Sequence, residues 1–268
     1  MANPKVFVAE FLGTFTLVLV GAAAGIYSGI SSLGVGLLGV ALAHGLTLAV
    51  LAYVYGNISG AHVNPAVTLG LAANGNIKWL DAAVYWVAQL SGAALAAFLL
   101  KTFLTLVNAD LANGMATHGV LTADHPYYAM TLEAILTFFL VSTVLHTAVG
   151  GKAGQMAGWA IGTTLTIGIL VGGPLTGGSL NPARSFGPAI FTQAIKTGTP
   201  DYQNPLLYLI YFVGPFIGAI LAVLIYQFFI MEFASAEEVD EEDEVEVEVV
   251  EVVVEEPVKK SARKSTKK

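Results

Sequence analysis

The sequence predicts an all-α membrane protein of six spanning helices and two shorter apolar segments that enter the bilayer without crossing it. Three observations predict this. The chain has 55% hydrophobic and only 12% charged side chains, with a mean hydropathy of +0.71, far from the balance of a soluble domain. Six stretches are long and apolar enough to span, since a hydrocarbon core of about 30 Å needs roughly 20 residues of helix. The tripeptide Asn-Pro-Ala occurs twice, at Asn64-Pro65-Ala66 and Asn181-Pro182-Ala183, in parallel surroundings.

The spans are read at 5–27, 33–55, 80–107, 127–149, 155–173 and 204–231. The first imitates a secretory signal peptide, with Lys5, an apolar run and a small-residue cluster at Gly21 to Gly25. That alternative leaves Glu10 without a role, whereas an internal repeat gives it one. SGAHVNPAVTLGLAANG follows the second span and TGGSLNPARSFGPAIFTQA the fifth. Each is too short to cross and too apolar for an ordinary loop. Each copy is preceded by a helix carrying a glutamate, Glu10 in AEFLGTF and Glu133 in LEAILTF. The chain is thus a duplication, with repeats at about 1–110 and 125–231. Three crossings per copy turn the second upside down relative to the first, an inverted 3+3 repeat. Glu10 and Glu133 are read as structural buried acids that accept hydrogen bonds from nearby irregular backbone.

Each motif asparagine stands before a proline that opens an apolar stretch, the arrangement of a helix N-cap followed by N1. Half-helices of 8 to 10 residues are roughly 12 to 15 Å long, so two of them entering from opposite faces meet near the midplane. Their N-termini then converge, each with about half a positive charge from its dipole. Capping is expected to leave both asparagine amide groups free. Such a place repels cations and orients a water so that it cannot relay protons. The carbonyls of 56–63 and 173–180 are expected to line the rest of a water-filled path.

These residues resemble the aquaporin (major intrinsic protein) family, whose signatures appear almost whole as SGAHVNPAVTLG and GGSLNPARSFGPA, with matching helix order over 1–231. The resemblance implies an aquaporin-like right-handed bundle, one pore per monomer, a homotetramer in the lipid bilayer, cytoplasmic termini and, as the expected location, the cell membrane. Family members carry a four-position selectivity filter. Counted from the motifs, it falls on His44, Ile169, Gly178 and Arg184. This set is similar to that of the ammonia-permeable tonoplast aquaporins, which also place a histidine in the loop after the third span, here His118. The competing readings are a packing histidine for His44 and a solvated loop residue for His118. Glycerol-carrying relatives usually have an aspartate where Ser185 stands and a basic residue where Ala189 stands, and Tyr211-Phe212 is similar to the aromatic pair of water channels.

The expected function is a passive channel for water, and also for ammonia or other small neutral solutes, that excludes protons and ions. A glycerol or small-polyol facilitator is the alternative, and a secondary transporter the alternative of a different class. No cofactor, metal site, nucleic-acid partner or enzymatic constellation is expected, and the chain contains no cysteine. Residues 232–268 hold thirteen acidic and six basic side chains against six of each in 1–231, so the net charge of −7 resides in this acidic-then-basic, low-complexity tail. It is expected to be a solvated cytoplasmic extension without fixed structure.

Overall fold

The computed structural model describes residues 3–106, 115–191 and 205–230. The expectations for the tail at 232–268 lie outside them. Among the described residues six helices have the length and apolarity to cross a membrane: α1 (Pro4–Ser28), α2 (Gly36–Ser59), α4 (Trp79–Leu106), α5 (Pro126–Val149), α6 (Ala157–Thr176) and α8 (Pro205–Ile230). Two short helices stand between them, α3 (Pro65–Ala73) after α2 and α7 (Pro182–Phe191) after α6. Both begin on the proline of an Asn-Pro-Ala motif, where a missing N–H costs nothing. Helices α5 and α8 each contain one π-helical stretch, Val144–Val149 and Leu209–Val213.

The two halves pack in the same way. Helix α1 lies against α2 and α4, and α5 lies against α6 and the start of α8. Close approach comes from small residues, as expected where lipid offers no hydrophobic drive for association. A Cβ on Gly92 would strike the Phe11 carbonyl of α1, and one on Gly218 the Ala134 carbonyl of α5. The halves meet where α2 crosses α6, with Gly45 set against the Gly162 carbonyl and Gly162 against the Gly45 carbonyl. Each half-helix also reaches into the other half. Gly70 of α3 faces Ala219 of α8, and Gly187 of α7 faces Ala93 of α4. Large side chains such as Val50, Phe98, Phe139 and Ile167 cover the outside, the distribution that a lipid solvent favours.

Two helices run further than the sequence reading allowed. Helix α2 continues to Ser59 rather than ending near 55, and α6 continues to Thr176 rather than ending near 173. In each case the stop is a glycine in the left-handed region that closes the last turn. Gly60 (φ 85°) donates to the Gly56 carbonyl, and Gly177 (φ 90°) to the Gly172 and Gly173 carbonyls. The carbonyls of 56–59 and 173–176 therefore belong to helix ends. The irregular backbone that can face a lumen shortens to 60–63 and 177–180, which corrects the longer stretches expected from the sequence.

Candidate pore

The two irregular segments share one conformation and one anchor. Ala61, Val63 and Leu180 have positive φ (49°, 42° and 55°), a region that side chains rarely enter without compensation. The compensation is a buried carboxylate at the back of each segment. Glu10 accepts from the Ser59 hydroxyl (2.6 Å), the His62 and Val63 N–H groups (2.9 and 2.7 Å) and the Gln89 amide (2.7 Å). Glu133 accepts from the Thr176 hydroxyl (2.6 Å) and the Ser179 and Leu180 N–H groups (3.0 and 2.7 Å). Both acids are fully buried.

A tyrosine completes each clamp. Tyr85 donates to the Ser59 carbonyl (2.7 Å), and the Tyr211 hydroxyl lies 2.5 Å from the Thr176 carbonyl. Ser59, Tyr85, Thr176 and Tyr211 were missed as clamp residues by sequence reasoning. Aligning YWVAQLSGA with YFVGPFIGA, the two copies of one helix segment, pairs Tyr85 with Tyr211 and was the signal available. The same alignment puts Pro215 opposite Gln89, so the fourth bond to Glu10 has no counterpart at Glu133.

The half-helices meet through their caps. The Asn64 side-chain oxygen accepts from the Ala66 N–H (2.8 Å), and that of Asn181 accepts from the Ala183 and Arg184 N–H groups (3.0 and 3.3 Å). Neither amide group is wholly free, contrary to the expectation from the sequence. Asn64 Nδ2 donates to the Leu180 carbonyl (2.8 Å), and Asn181 Nδ2 donates to the Val63 carbonyl (2.9 Å). Each cap thus ties itself to the segment that leads into the other half-helix. An amide NH₂ carries two protons, so one per asparagine remains for a guest.

Both asparagines line a cavity of about 50 Å³ that runs between the halves. Its walls include Leu48, Val67, Leu140 and Leu165, so the polar atoms are few. At one end it shares Ala52, Gly60, His62 and Ile161 with a vestibule bordered by Asn57 and Gln155. His62 sits at this junction, buried, with Nδ1 3.0 Å from the Thr68 hydroxyl and its ring against Tyr85. Sequence reasoning passed over His62, although it lies inside a quoted motif. At the other end the cavity shares only Arg184 with a second vestibule, bordered by Ile169, His118 and Gly173.

Of the positions expected to form a filter, Gly178 meets Ile169 and His44 meets Arg184. Arg184 Nε donates to His44 Nε2 (3.3 Å), and His44 Nδ1 lies 2.9 Å from the Val40 carbonyl. Arginine can only donate, so Nε2 is the acceptor and the ring proton sits on Nδ1. Gly21 leaves room for the imidazole, which a Cβ there would strike. Gly178 (φ 55°) packs so close to α6 that a Cβ would stand 3.0 Å from Ile169 Cα. His118 is exposed in the vestibule, with Nδ1 3.3 Å from the Ala116 carbonyl. Arg184 is also held by Thr117, whose hydroxyl accepts from Nη1. Thr117 is a further residue that sequence reasoning missed.

Six apolar spans, two capped half-helices and a cavity flanked by a vestibule at each end define an integral membrane protein with the architecture of a channel. The chain belongs to the major intrinsic protein family, whose model matches residues 1–226. It is 42% identical over 232 residues to the probable aquaporin TIP-type RB7-18C of Nicotiana tabacum, covering 83% of this chain and 86% of that one. It is 40% identical over 234 residues to aquaporin TIP2-1 of Arabidopsis thaliana, covering 84% and 87%. Among solved structures, the aquaglyceroporin from Plasmodium falciparum has the same fold, with a TM-score of 0.72 and 24% identity over 83% of this chain and 95% of that one.

Proposed function

We propose that this protein is a passive channel that conducts water, and ammonia with it, while excluding protons and ions. The observation that carries the reading is the pair of reciprocal asparagine bridges beside a lumen that has a vestibule at each end. A water in the lumen accepts from the remaining amide protons of Asn64 and Asn181 and is thereby turned so that it cannot pass a proton onward. The two half-helix N-termini add positive potential at the same point. His44, Ile169, Gly178 and Arg184 form the filter in this reading, with Arg184 as the cationic barrier, and His118 extends it into the vestibule.

Water is favoured over glycerol by Ser185 and Ala189, which stand where glycerol-carrying relatives usually have an aspartate and a basic residue. Coupled transport is disfavoured because both buried acids are spent on the clamps and neither lines the lumen. The homotetramer, the cytoplasmic termini and the division into a 1–231 channel and a 232–268 tail rest on the family resemblance and composition. For the membrane, the TIP-type relatives and the filter set favour a tonoplast-like internal membrane over the cell membrane first expected.

Ammonia conduction is tested by alkalinisation of proteoliposomes in an ammonium gradient. Wild type is expected to take up ammonia several times faster than empty vesicles, and His44→Phe to lose most of the excess. Uptake by wild type at the rate of empty vesicles would remove ammonia from the proposal and leave water.

A further inference from the structure

We propose that Trp86 is a positioning residue that fixes the first turn of α3 from outside the pore, and so aims the spare amide proton of Asn64 at passing water. The inference rests on the reading of Asn64 as a donor to water and extends it to the residue that holds that donor in place.

Trp86 of α4 gives its indole N–H to the Pro65 carbonyl (3.1 Å). Three residues further along α4, Gln89 gives an amide proton to the Thr68 hydroxyl (2.9 Å). Donors three apart on α4 thus meet acceptors three apart on α3, which sets the register of the two helices. Proline has no N–H, so the carbonyl is the one polar group by which residue 65 can be fastened. It stands next to Asn64.

The second half has no such pair. In the alignment of YWVAQLSGA with YFVGPFIGA, Phe212 and Pro215 stand where Trp86 and Gln89 do, and neither has a side-chain proton to give. The caps differ in the opposite sense. Asn181 accepts from two N–H groups of its half-helix, whereas Asn64 accepts from Ala66 alone. The extra bond therefore falls on the half-helix with the lighter cap.

Trp86 is itself held by aromatic packing. Its ring stacks on Phe216 of α8 (centroids 6.4 Å apart, planes at 29°), Phe216 meets Phe212 edge to face (6.2 Å, 81°), and Phe212 meets Phe186 of α7 in the same way (6.2 Å, 87°). These four rings line neither the lumen nor its vestibules. The reciprocal asparagine bridges join the half-helices at the lumen, and the row of rings joins them again from behind. Its single hydrogen bond to α3 is the indole one. Without that bond the first turn of α3 is free to pivot about Thr68, and the Asn64 proton loses its direction.

The test is osmotic water permeability per channel in proteoliposomes of full-length protein. Trp86→Phe keeps a ring and loses the N–H. It is expected to lower permeability about fivefold, the factor that one hydrogen bond of ordinary strength brings. In an Asn64→Ala background it is expected to lower it no further, because the group it positions is gone. Should Trp86→Phe fail to reconstitute, Trp86→Tyr removes the same N–H. Phe216→Leu keeps the indole N–H and is expected to lose less than Trp86→Phe. Unchanged permeability in Trp86→Phe, or an equal loss with and without Asn64, overturns the positioning role and leaves the channel reading standing. A loss in Phe216→Leu as large as in Trp86→Phe also overturns it, because ring packing rather than the hydrogen bond would then be responsible. An Asn64→Ala channel as fast as wild type overturns the reading of Asn64 on which the proposal rests.

Discussion

Replacing Glu10 by leucine is expected to leave almost no folded protein in the membrane. The side chain accepts from Ser59, His62, Val63 and Gln89 in a fully buried place. Leucine fills much of the volume and accepts nothing. A buried donor without a partner costs about 1–3 kcal/mol. Gln89 already gives its other amide proton to the Thr68 hydroxyl at 2.9 Å, so all four donors are orphaned, at a cost on the order of 4–12 kcal/mol. That is a large part of the roughly 5–15 kcal/mol that holds an ordinary domain together. It falls on a segment already holding Ala61 and Val63 at positive φ.

Glu133→Leu orphans the Ser179 and Leu180 N–H groups, while the Thr176 hydroxyl keeps the Gly172 carbonyl at 3.3 Å, and is expected to act in the same direction with a smaller effect. Detergent-stable yield and thermal unfolding, read by size-exclusion fluorescence, measure both. A well-folded Glu10→Leu protein that has lost flux would contradict the structural role and favour a transport role for the acid.

The second large effect is expected at the caps. Asn181→Ala removes the acceptor for the Ala183 and Arg184 N–H groups and the donor to the Val63 carbonyl. It also removes the spare amide proton to which a passing water donates its lone pair. Loss of a cap alone costs about 1 kcal/mol in stability, which the fold should survive. Osmotic water permeability per channel is expected to fall about tenfold, the effect of roughly 1.4 kcal/mol on a barrier. Asn64→Ala is expected to do the same from the other half. The double variant should lose less than the product of the two, because each asparagine binds the segment leading to the other and the two effects are not independent. Stopped-flow shrinkage of vesicles, normalised to reconstituted protein, checks all three. Independent, fully multiplicative losses would contradict the reciprocal bridge.

The parts of this architecture that were legible in the sequence are those written in local chemistry. Proline after asparagine marks a capped helix start wherever it occurs, and its repetition with Glu10 and Glu133 in step revealed the inverted repeat. Arg184 and His44 were reachable by counting from the motifs along regular helices. The reach of α2 to Ser59 and of α6 to Thr176 was hidden because glycine-rich stretches such as Gly172-Gly173-Pro174 read as breaks. In a membrane, neighbouring backbone can answer the carbonyls left open where such a helix ends, as Val120 and Leu121 do for Pro174 and Leu175.

The fate of the second asparagine donors was also invisible, because the Val63 and Leu180 carbonyls that receive them lie more than a hundred residues away. Thr117 escaped for the same reason. A threonine in a polar loop looks solvated until the loop is seen to fold onto Arg184.

The most direct test of the central claim, that water threads in single file past the two asparagine caps while protons do not, is the temperature dependence of osmotic water permeability in proteoliposomes with proton flux recorded in the same vesicles. The account predicts a shallow dependence, near that of water moving through water, with proton leak no greater than in empty vesicles. A dependence as steep as that of bare lipid, or proton flux rising in step with water flux, would contradict it.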